Sequence, residues 1–548
     1  MGKEILCFYH EKIKRSWKIA FYAAFVLGLL VHIYKFTNLL PNYDALYNFY
    51  STQNMVGSGR WFLSIACGFS SYFDLPWVNG ILSLVFMGLT AAIITEVFSM
   101  ENPALIVLSS GLLVSFPAIT ATMAYEFTSD GYMFAMMLAA LSACLTKMEH
   151  MEKRCWIRMA FSSICICLCC GIYQAYVSFA FIMAVCYFMT ELLENRWEEK
   201  RYWKWIGMQV LIYGIALASY YLIWKLCLRV QGFTASSYQG IDNVGIMGVG
   251  GIVSGFLKIA RDFVRFFLEW NILEHGVTAY SVLNILFLIA FAMGLLLSVR
   301  KSGICRRKMH LILLLLCVAV LPVGCYIWYL TSPDVFYHVL MLQSVCLLYI
   351  FTAILYDRWI CGQKGGIAGA AVLVLLSTIV FNNSLSANMY YNYMHQCFVR
   401  TQSDAVELST RIHLLDDGEI KYIALYGAMP DYTQEDHFRQ DGLRQLGGLK
   451  LVGRNILSPM FLSLYTDFDL SYYRINNLEY PVVENEPGIP APQDWEFRFP
   501  LLGREEQQTL AQTEEFRAMP VWPARDSIRV IGDTVVVKLS ELEVVSES

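Results

Sequence analysis

Long apolar runs recur along this chain and constrain its fold more than any other feature. About eleven of them approach the ~20 residues that a helix needs to cross the ~30 Å hydrocarbon layer of a bilayer. They lie near residues 17–36, 77–98, 104–124, 130–147, 157–173, 175–193, 206–228, 278–299, 309–330, 338–356 and 365–383. Hydrophobic residues make up 57% of the 548 residues and charged residues 16%. A soluble core cannot bury that much apolar surface, so the pattern predicts a polytopic α-helical membrane protein.

Basic residues are concentrated in alternate loops between these runs. The loops at 148–158, 194–205, 300–310 and 357–364 carry most of them, and the intervening short loops carry few. By the positive-inside rule, the basic loops and the N-terminus face the cytoplasm, and an odd number of spans places the C-terminal region outside. The basic segment before the first run imitates a signal peptide. Because no small-residue cleavage site follows it, we interpret the run as a retained helix.

Composition divides the chain into a membrane domain over 1–383 and a small extracytoplasmic α/β domain over 384–548. The second domain has β-like runs, "IKYIALYG" and "SIRVIGDTVVVKL", and helix-like ones, "SDAVELSTRIHLL" and "REEQQTLAQTEEF". A Gly-Asp turn inside "VIGDTVV" predicts a hairpin, and "NEPGIPAPQDW" predicts a proline-rich loop. Two outer segments of the membrane domain are too long for simple turns. We expect an interfacial or re-entrant helix in 37–76 and an amphipathic helix in 229–277, within "GFLKIARDFVRFFLEW".

Several classes of function find no support in the sequence. The 16 cysteines lie mostly within apolar runs and form no paired CxxC motifs, so we interpret them as small core residues rather than disulfides or zinc ligands. A net charge of −4 gives no basic surface for a nucleic-acid partner. The C-terminal domain has no Gly-rich phosphate loop and no acidic metal motif suited to a nucleotide sugar.

Ionisable residues at a membrane edge are costly, and each is therefore a candidate for function. On the predicted outer side these candidates are Asp44, Arg60, Asp74, Glu126, Asp130, Asp334 and His338, joined by Gln174 at a break between two spans. The outer loops of adjacent spans can converge, which allows these side chains to line one cavity.

Each candidate also has a simple structural interpretation. Asp44 fits a helix cap, Arg60 fits a side chain that snorkels to the headgroups, and Asp130 fits a charge on a helix dipole. Glu126 fits a solvated loop residue, and His338 fits an interfacial histidine. Taken singly, none of these residues defines a site.

Several motifs follow one another in a suggestive order across the spans. They are "DALYNFY…GSGRW" with Asp44, Arg60 and Trp61, "YEFTSDGYMF" with Glu126 and Asp130, "YQAY" at 173–176, and the ending "MPVWPARDSIRVIGDTVVVKL". This order resembles the O-antigen-modifying glucosyl transferase II family, multi-span enzymes of the GT-C glycosyltransferase superfamily. Two departures stand out. Tyr43 precedes Asp44 where members often show a second acid, and "PDVFYH" near 333–338 lacks an expected arginine.

The resemblance implies a polyprenyl-phosphate-linked hexose as donor, with glucose on undecaprenyl phosphate expected. It implies a glycan or glycolipid acceptor at the outer face of a bacterial plasma membrane. The expected roles are Asp44 as general base, Arg60 as phosphate clamp, and Glu126 or Asp130 as sugar or acceptor contacts. Inversion at the anomeric carbon is expected. Trp61, Tyr173, Gln174 and His338 complete the predicted substrate-binding set. No organic cofactor is indicated, and the carboxylates leave a divalent cation open.

The opposing interpretation is a transporter or flippase for a lipid-linked sugar or glycan. Such carriers usually contain paired half-repeats with broken helices near the membrane midplane, and we find no such repeat here. A glycan polymerase or ligase would handle lipid phosphate in the same way with a different acceptor. A wall-binding scaffold is the fourth alternative, although an anchor needs far fewer spans.

Overall fold

In a computed structural model of the protein, the residues described are 13–42, 44–47, 50–151, 155–243, 248–268, 279–361, 366–415, 418–427 and 502–541. They form two compact units. The first contains residues 13–39 and 51–390, and the second contains 40–50, 391–427 and 502–541.

The first unit consists of helices, numbered here in chain order. They are α1 (Arg15–Thr37), α2 (Leu63–Cys67), α3 (Pro76–Val97), α4 (Pro103–Ser115), α5 (Pro117–Met123), α6 (Glu126–Leu145), α7 (Cys155–Ile172), α8 (Tyr176–Glu194), α9 (Glu199–Gln231), α10 (Val249–Leu268), α11 (Ala279–Ser302), α12 (Lys308–Cys325), α13 (Cys346–Leu355) and α14 (Ile367–Leu415). Helix α14 continues into the second unit beyond Tyr390.

Nine of the described helices are long and apolar enough to cross a membrane, where the sequence predicts about eleven spans. They are α1, α3, α6, α7, α8, α9, α11, α12 and α14. Helices α4 and α5 make a tenth candidate if they count as one span, but they are bent by 49° at the break before Pro117. The break is expected, because proline disfavours helical geometry in the residue before it.

The predicted span at 338–356 contains only one short helix. Residues Val339–Met341 and Gln343–Val345 form 3₁₀ turns, and α13 follows with ten residues. Every residue of α13 is buried within the protein. A short apolar helix of this kind is typical of a protein core rather than of a bilayer crossing.

Close helix packing orders the first unit. Helix α1 packs on α3 and α4, α3 packs on α6, α6 packs on α7 and α8, and α7 packs on α9. The end of α1 lies beside the starts of α3 and α6, because Phe36 packs against Gly80 and Lys35 contacts Glu126. This arrangement brings together side chains that are distant in the sequence.

The two long segments that the sequence predicts on the outer side differ in structure. The first contains the five-residue helix α2 between 3₁₀ turns rather than a longer interfacial helix. In the second, the predicted amphipathic helix is confirmed as α10, which buries Ile259, Phe266 and Phe267 and exposes Arg261. Phe256, expected on the apolar face, is 48% exposed.

The second unit contains a three-stranded sheet in the order β1 (Tyr422–Tyr426), β3 (Thr534–Lys538), β2 (Ile528–Ile531). Strands β2 and β3 form the predicted antiparallel hairpin, and β1 pairs with β3 in parallel. Helices α15 (Arg504–Ala511) and α16 (Glu514–Arg517) confirm the helical prediction for "REEQQTLAQTEEF". Phe516 and Tyr426 pack in the core of this sheet and its helices. The predicted proline-rich loop lies outside the described residues.

The predicted domain boundary between residues 383 and 384 falls inside α14, which runs unbroken through it. The predicted helix "SDAVELSTRIHLL" is the C-terminal part of this same helix.

Candidate active site

A tight turn between Met55 and Arg60 fixes the backbone of Arg60. The two residues pair as an isolated β-bridge, and Gly59 between them has a φ of +80°. Glycine adopts this left-handed conformation without the steric cost of a side chain. A Cβ at Gly59 would also collide with the side chains of Gln174 and Tyr220. Gly59, the second glycine of "GSGR", is therefore required by the local geometry.

Hydrogen bonds to backbone carbonyls hold this turn in place. Gln174 Nε2 donates to Ser58 O at 2.8 Å and to the Tyr220 hydroxyl at 3.0 Å. Tyr220, on α9, donates its own hydroxyl to Gly59 O at 3.1 Å. Gln174, which the sequence analysis selects, thus contacts the turn that carries Arg60.

The guanidinium of Arg60 rests on tyrosine side chains. Its Cζ lies 4.6 Å from the centre of the Tyr173 ring, and its Nη1 donates to the Tyr132 hydroxyl at 3.2 Å. The rings of Tyr132 and Tyr173 stack with their centres 4.8 Å apart. A cation over an aromatic face is held by the ring quadrupole and keeps its positive charge.

Arg60, Tyr173 and Gln174 line a cavity of about 340 Å³. Helix α9 supplies further aromatic side chains to the wall and a second cation, Lys225, whose Nζ lies 5.0 Å from the Trp224 ring centre. The cavity therefore combines aromatic surface with two positive side chains, Arg60 and Lys225, and one carboxylate, that of Asp242. Aromatic surface suits a sugar ring, and the two cations suit a phosphate.

A buried ion pair joins the end of α1 to the start of α6. Lys35 Nζ contacts Glu126 Oε2, and both side chains are almost completely buried. Asn79 of α3 donates its Nδ2 to the Glu126 carbonyl at 3.1 Å. Glu126 is therefore a buried partner of Lys35 and not the solvated loop residue of the simple interpretation.

Two further carboxylates are buried in the same unit. Asp74 lies within electrostatic range of Lys35, and burial raises the pKa of Asp74 to about 6. Asp130, one helical turn after Glu126 on α6, is fully buried beside Cys67 and Ser70.

Four predicted site residues of the first unit are not among those that line the cavity: Trp61, Glu126, Asp130 and His338. Trp61 packs against Gly171 and lines a separate groove between α7 and α9. His338 is half-buried in a loop, with its ring 4.7 Å from that of Phe336, and is not among the residues that line the cavity. Asp44 belongs to the second compact unit.

Asp44 is exposed and begins a 3₁₀ turn, Asp44–Tyr47. The backbone N–H of Ala45 donates to Asn42 Oδ1 at 2.7 Å, so Asn42 caps this turn.

Sequence reasoning overlooked Lys35, Tyr132 and Lys225. A lysine in "VHIYKFT" and another in "YYLIWKLCL" interrupt apolar runs, so the cost of a membrane charge marks both. Tyr132 has no such signal, because a tyrosine in an apolar helix is ordinary.

A family model described as Glucosyl transferase GtrII matches residues 33–356, more than half of the chain. The chain belongs to this family. The resemblance inferred from the motif order is thereby confirmed, and so is the assignment to glycosyltransferases. No curated protein and no solved structure matches the chain. The GtrII match includes the Arg60 turn, the cavity and the Lys35–Glu126 pair, and it ends before α14 begins.

Proposed function

We propose that this GtrII family member transfers a glucosyl group from a polyprenyl-phosphate carrier to a glycan or glycolipid at the outer face of a bacterial plasma membrane. The family supports glucosyl transfer, and the membrane-length helices suit a donor that resides in lipid. The observation that carries the proposal is the position of Arg60, which contacts the tyrosines Tyr132 and Tyr173 at the wall of an aromatic cavity. The match to a glucosyltransferase family also favours transfer over the alternative of a transporter or flippase.

Arg60 and Lys225 are assigned to the donor phosphate. A guanidinium can form two parallel, charge-assisted hydrogen bonds to phosphate oxygens, and an ammonium adds a point charge. Both side chains line the same cavity. During transfer the phosphodiester becomes a phosphomonoester, so its negative charge grows. Cations already in place stabilise that growing charge without reorganisation.

The reaction is a direct displacement. The acceptor hydroxyl oxygen attacks the anomeric carbon, and the bond from that carbon to the phosphate oxygen breaks. The hydroxyl proton passes to a carboxylate, and polyprenyl phosphate leaves. One displacement inverts the anomeric configuration. A positioned carboxylate contributes about 10²–10⁴-fold to such a step.

Asp44 remains the candidate for this base, as the motif order predicts. The hypothesis that Glu126 or Asp130 contacts the sugar or acceptor also stays a prediction, and both carboxylates are buried in the structure. Within the described part of the chain, no three His, Cys, Asp or Glu side chains are grouped as metal ligands.

Transfer of radiolabelled glucose from polyprenyl-phosphate glucose to membrane acceptors tests the proposal. Wild-type membranes should form labelled product, and Asp44→Asn should abolish it at normal expression. Arg60→Ala should lower kcat/KM by about 10²–10³-fold, the range for losing one preorganised contact to a developing charge. Arg306→Ala, which removes an exposed arginine, is the matched control and should be silent. Movement of the lipid-linked sugar across the membrane without transfer would contradict the proposal.

A further inference from the structure

An apolar groove of about 600 Å³ runs between α7 and α9. On α7 its lining extends from Trp156 to Leu168 at spacings of three and four residues, which forms one stripe along the helix. On α9 it comprises Ile215, Ser219 and Ile223, again one helical face. At 1.5 Å per residue the α7 stripe is about 18 Å long, more than half of the ~30 Å hydrocarbon thickness.

One end of this groove adjoins the Arg60 cavity. Trp61, the residue after Arg60, lines the groove. A Cβ on Gly171 would lie 2.7 Å from the indole, so glycine allows Trp61 to sit directly against α7. The same two helices line the cavity through Cys170 and Tyr220. A molecule lying along the groove therefore has one end next to Arg60.

We propose that this groove holds the isoprenoid chain of the donor, with the phosphate end at Arg60. This inference rests on the proposed function and assigns a binding site to the lipid part of the substrate. The isoprenoid chain is already dissolved in lipid, so its transfer into the groove gains little from the hydrophobic effect. The selectivity must come from packing of a branched chain against branched side chains and indole rings.

Groove-filling variants test the assignment by donor length. Ala160→Phe places a ring in the groove, where Ala160 is exposed in the protein. It should raise KM for a long-chain polyprenyl-phosphate glucose by about three- to tenfold, which corresponds to a loss of ~0.6–1.4 kcal/mol of binding. The KM for citronellyl-phosphate glucose, a two-isoprene donor, should stay unchanged. Ala218→Phe, at an exposed alanine of α9 that lines neither cavity nor groove, is the matched control. Equal effects on both donors would overturn the proposal.

A binding measurement separates this proposal from the proposed function, because it needs no glucosyl transfer. Wild-type protein in nanodiscs is photolabelled with polyprenyl phosphate that carries a diazirine on an isoprene unit within about 18 Å of the phosphate, the length of the α7 stripe. Labelled peptides should come from α7 and α9, and unlabelled polyprenyl phosphate should compete while phosphatidylglycerol should not. Labelling with no glucosyl transfer would refute the proposed function alone. Labelling elsewhere, or equal competition by phosphatidylglycerol, would mean that ordinary membrane lipid fills the groove and would overturn the inference.

Discussion

Removal of Lys35 should destabilise the protein more than removal of its partner Glu126. The two side chains are 1% and 3% exposed, so neither charge is solvated. Lys35→Met leaves the Glu126 carboxylate without its ion pair, and Asp74 also loses its attraction to Lys35. Breaking a buried pair in this way costs about 3–5 kcal/mol. Glu126→Gln leaves Lys35 with Asp74 as a neighbour, and we expect a smaller loss of about 1–3 kcal/mol.

Detergent-solubilised variants can be compared by the free energy of unfolding in an SDS titration followed by tryptophan fluorescence. The double variant Lys35→Met/Glu126→Gln closes the mutant cycle. Because the two residues are in contact, the double loss should fall short of the sum by about 1–3 kcal/mol. A Lys35→Met variant within 1 kcal/mol of wild type, or equal losses from the two single variants, would refute the reasoning that burial makes this pair costly to break.

Two other predictions concern the Arg60 turn and Asp74. Gly59→Ala should cost about 1–3 kcal/mol because it forces a side chain into a left-handed φ, and it should reduce glucosyl transfer by displacing Arg60. Gly214→Ala, where an added Cβ meets nothing within 4 Å, is the control and should be neutral or stabilising in the same unfolding titration; similar losses from both would show that the turn is unstrained. Burial raises the pKa of Asp74 from 3.8 to about 6, so the folded carboxyl keeps its proton to higher pH than the unfolded one. Stability from this group is therefore present at low pH and falls as pH rises from about 4 to about 6. Asp74→Asn should reduce the pH dependence of the unfolding midpoint over that interval. The same change of midpoint with pH in wild type and variant would contradict the pKa shift.

Composition predicted most of the first unit because a bilayer crossing depends on length and apolarity, which a sequence displays directly. It failed at α13, where residues 338–356 are apolar for a different reason: the helix is buried inside the protein. Hydropathy cannot distinguish solvation by lipid from solvation by neighbouring helices. The hairpin of β2 and β3 was predictable because its turn chemistry is local to Gly532 and Asp533.

The candidate site was predictable only in part. Arg60, Tyr173 and Gln174 line one cavity, since the last two sit at a helix break that faces the Arg60 turn, whereas Glu126 and Asp130, expected in the same cavity, do not line it. The pairing of Lys35 with Glu126 was not predicted, because it depends on how α1 and α6 pack, and the sequence shows no trace of their contact. Motif order selected candidate residues without showing which of them are in contact.

The contrast between Lys35 and Arg60 supports their different assignments. Lys35 is buried against the carboxylate of Glu126, which compensates its charge. Arg60 is half-buried at the cavity wall, lies over the Tyr173 ring and donates to the Tyr132 hydroxyl, and these contacts orient its guanidinium. A phosphate binder needs a cation that is held in a fixed position. Tyr132→Phe should therefore loosen Arg60 while keeping the stacked rings, and we expect a higher KM for the donor with little loss of stability. A Tyr132→Phe enzyme with unchanged KM would show that stacking on Tyr173 is sufficient to orient Arg60.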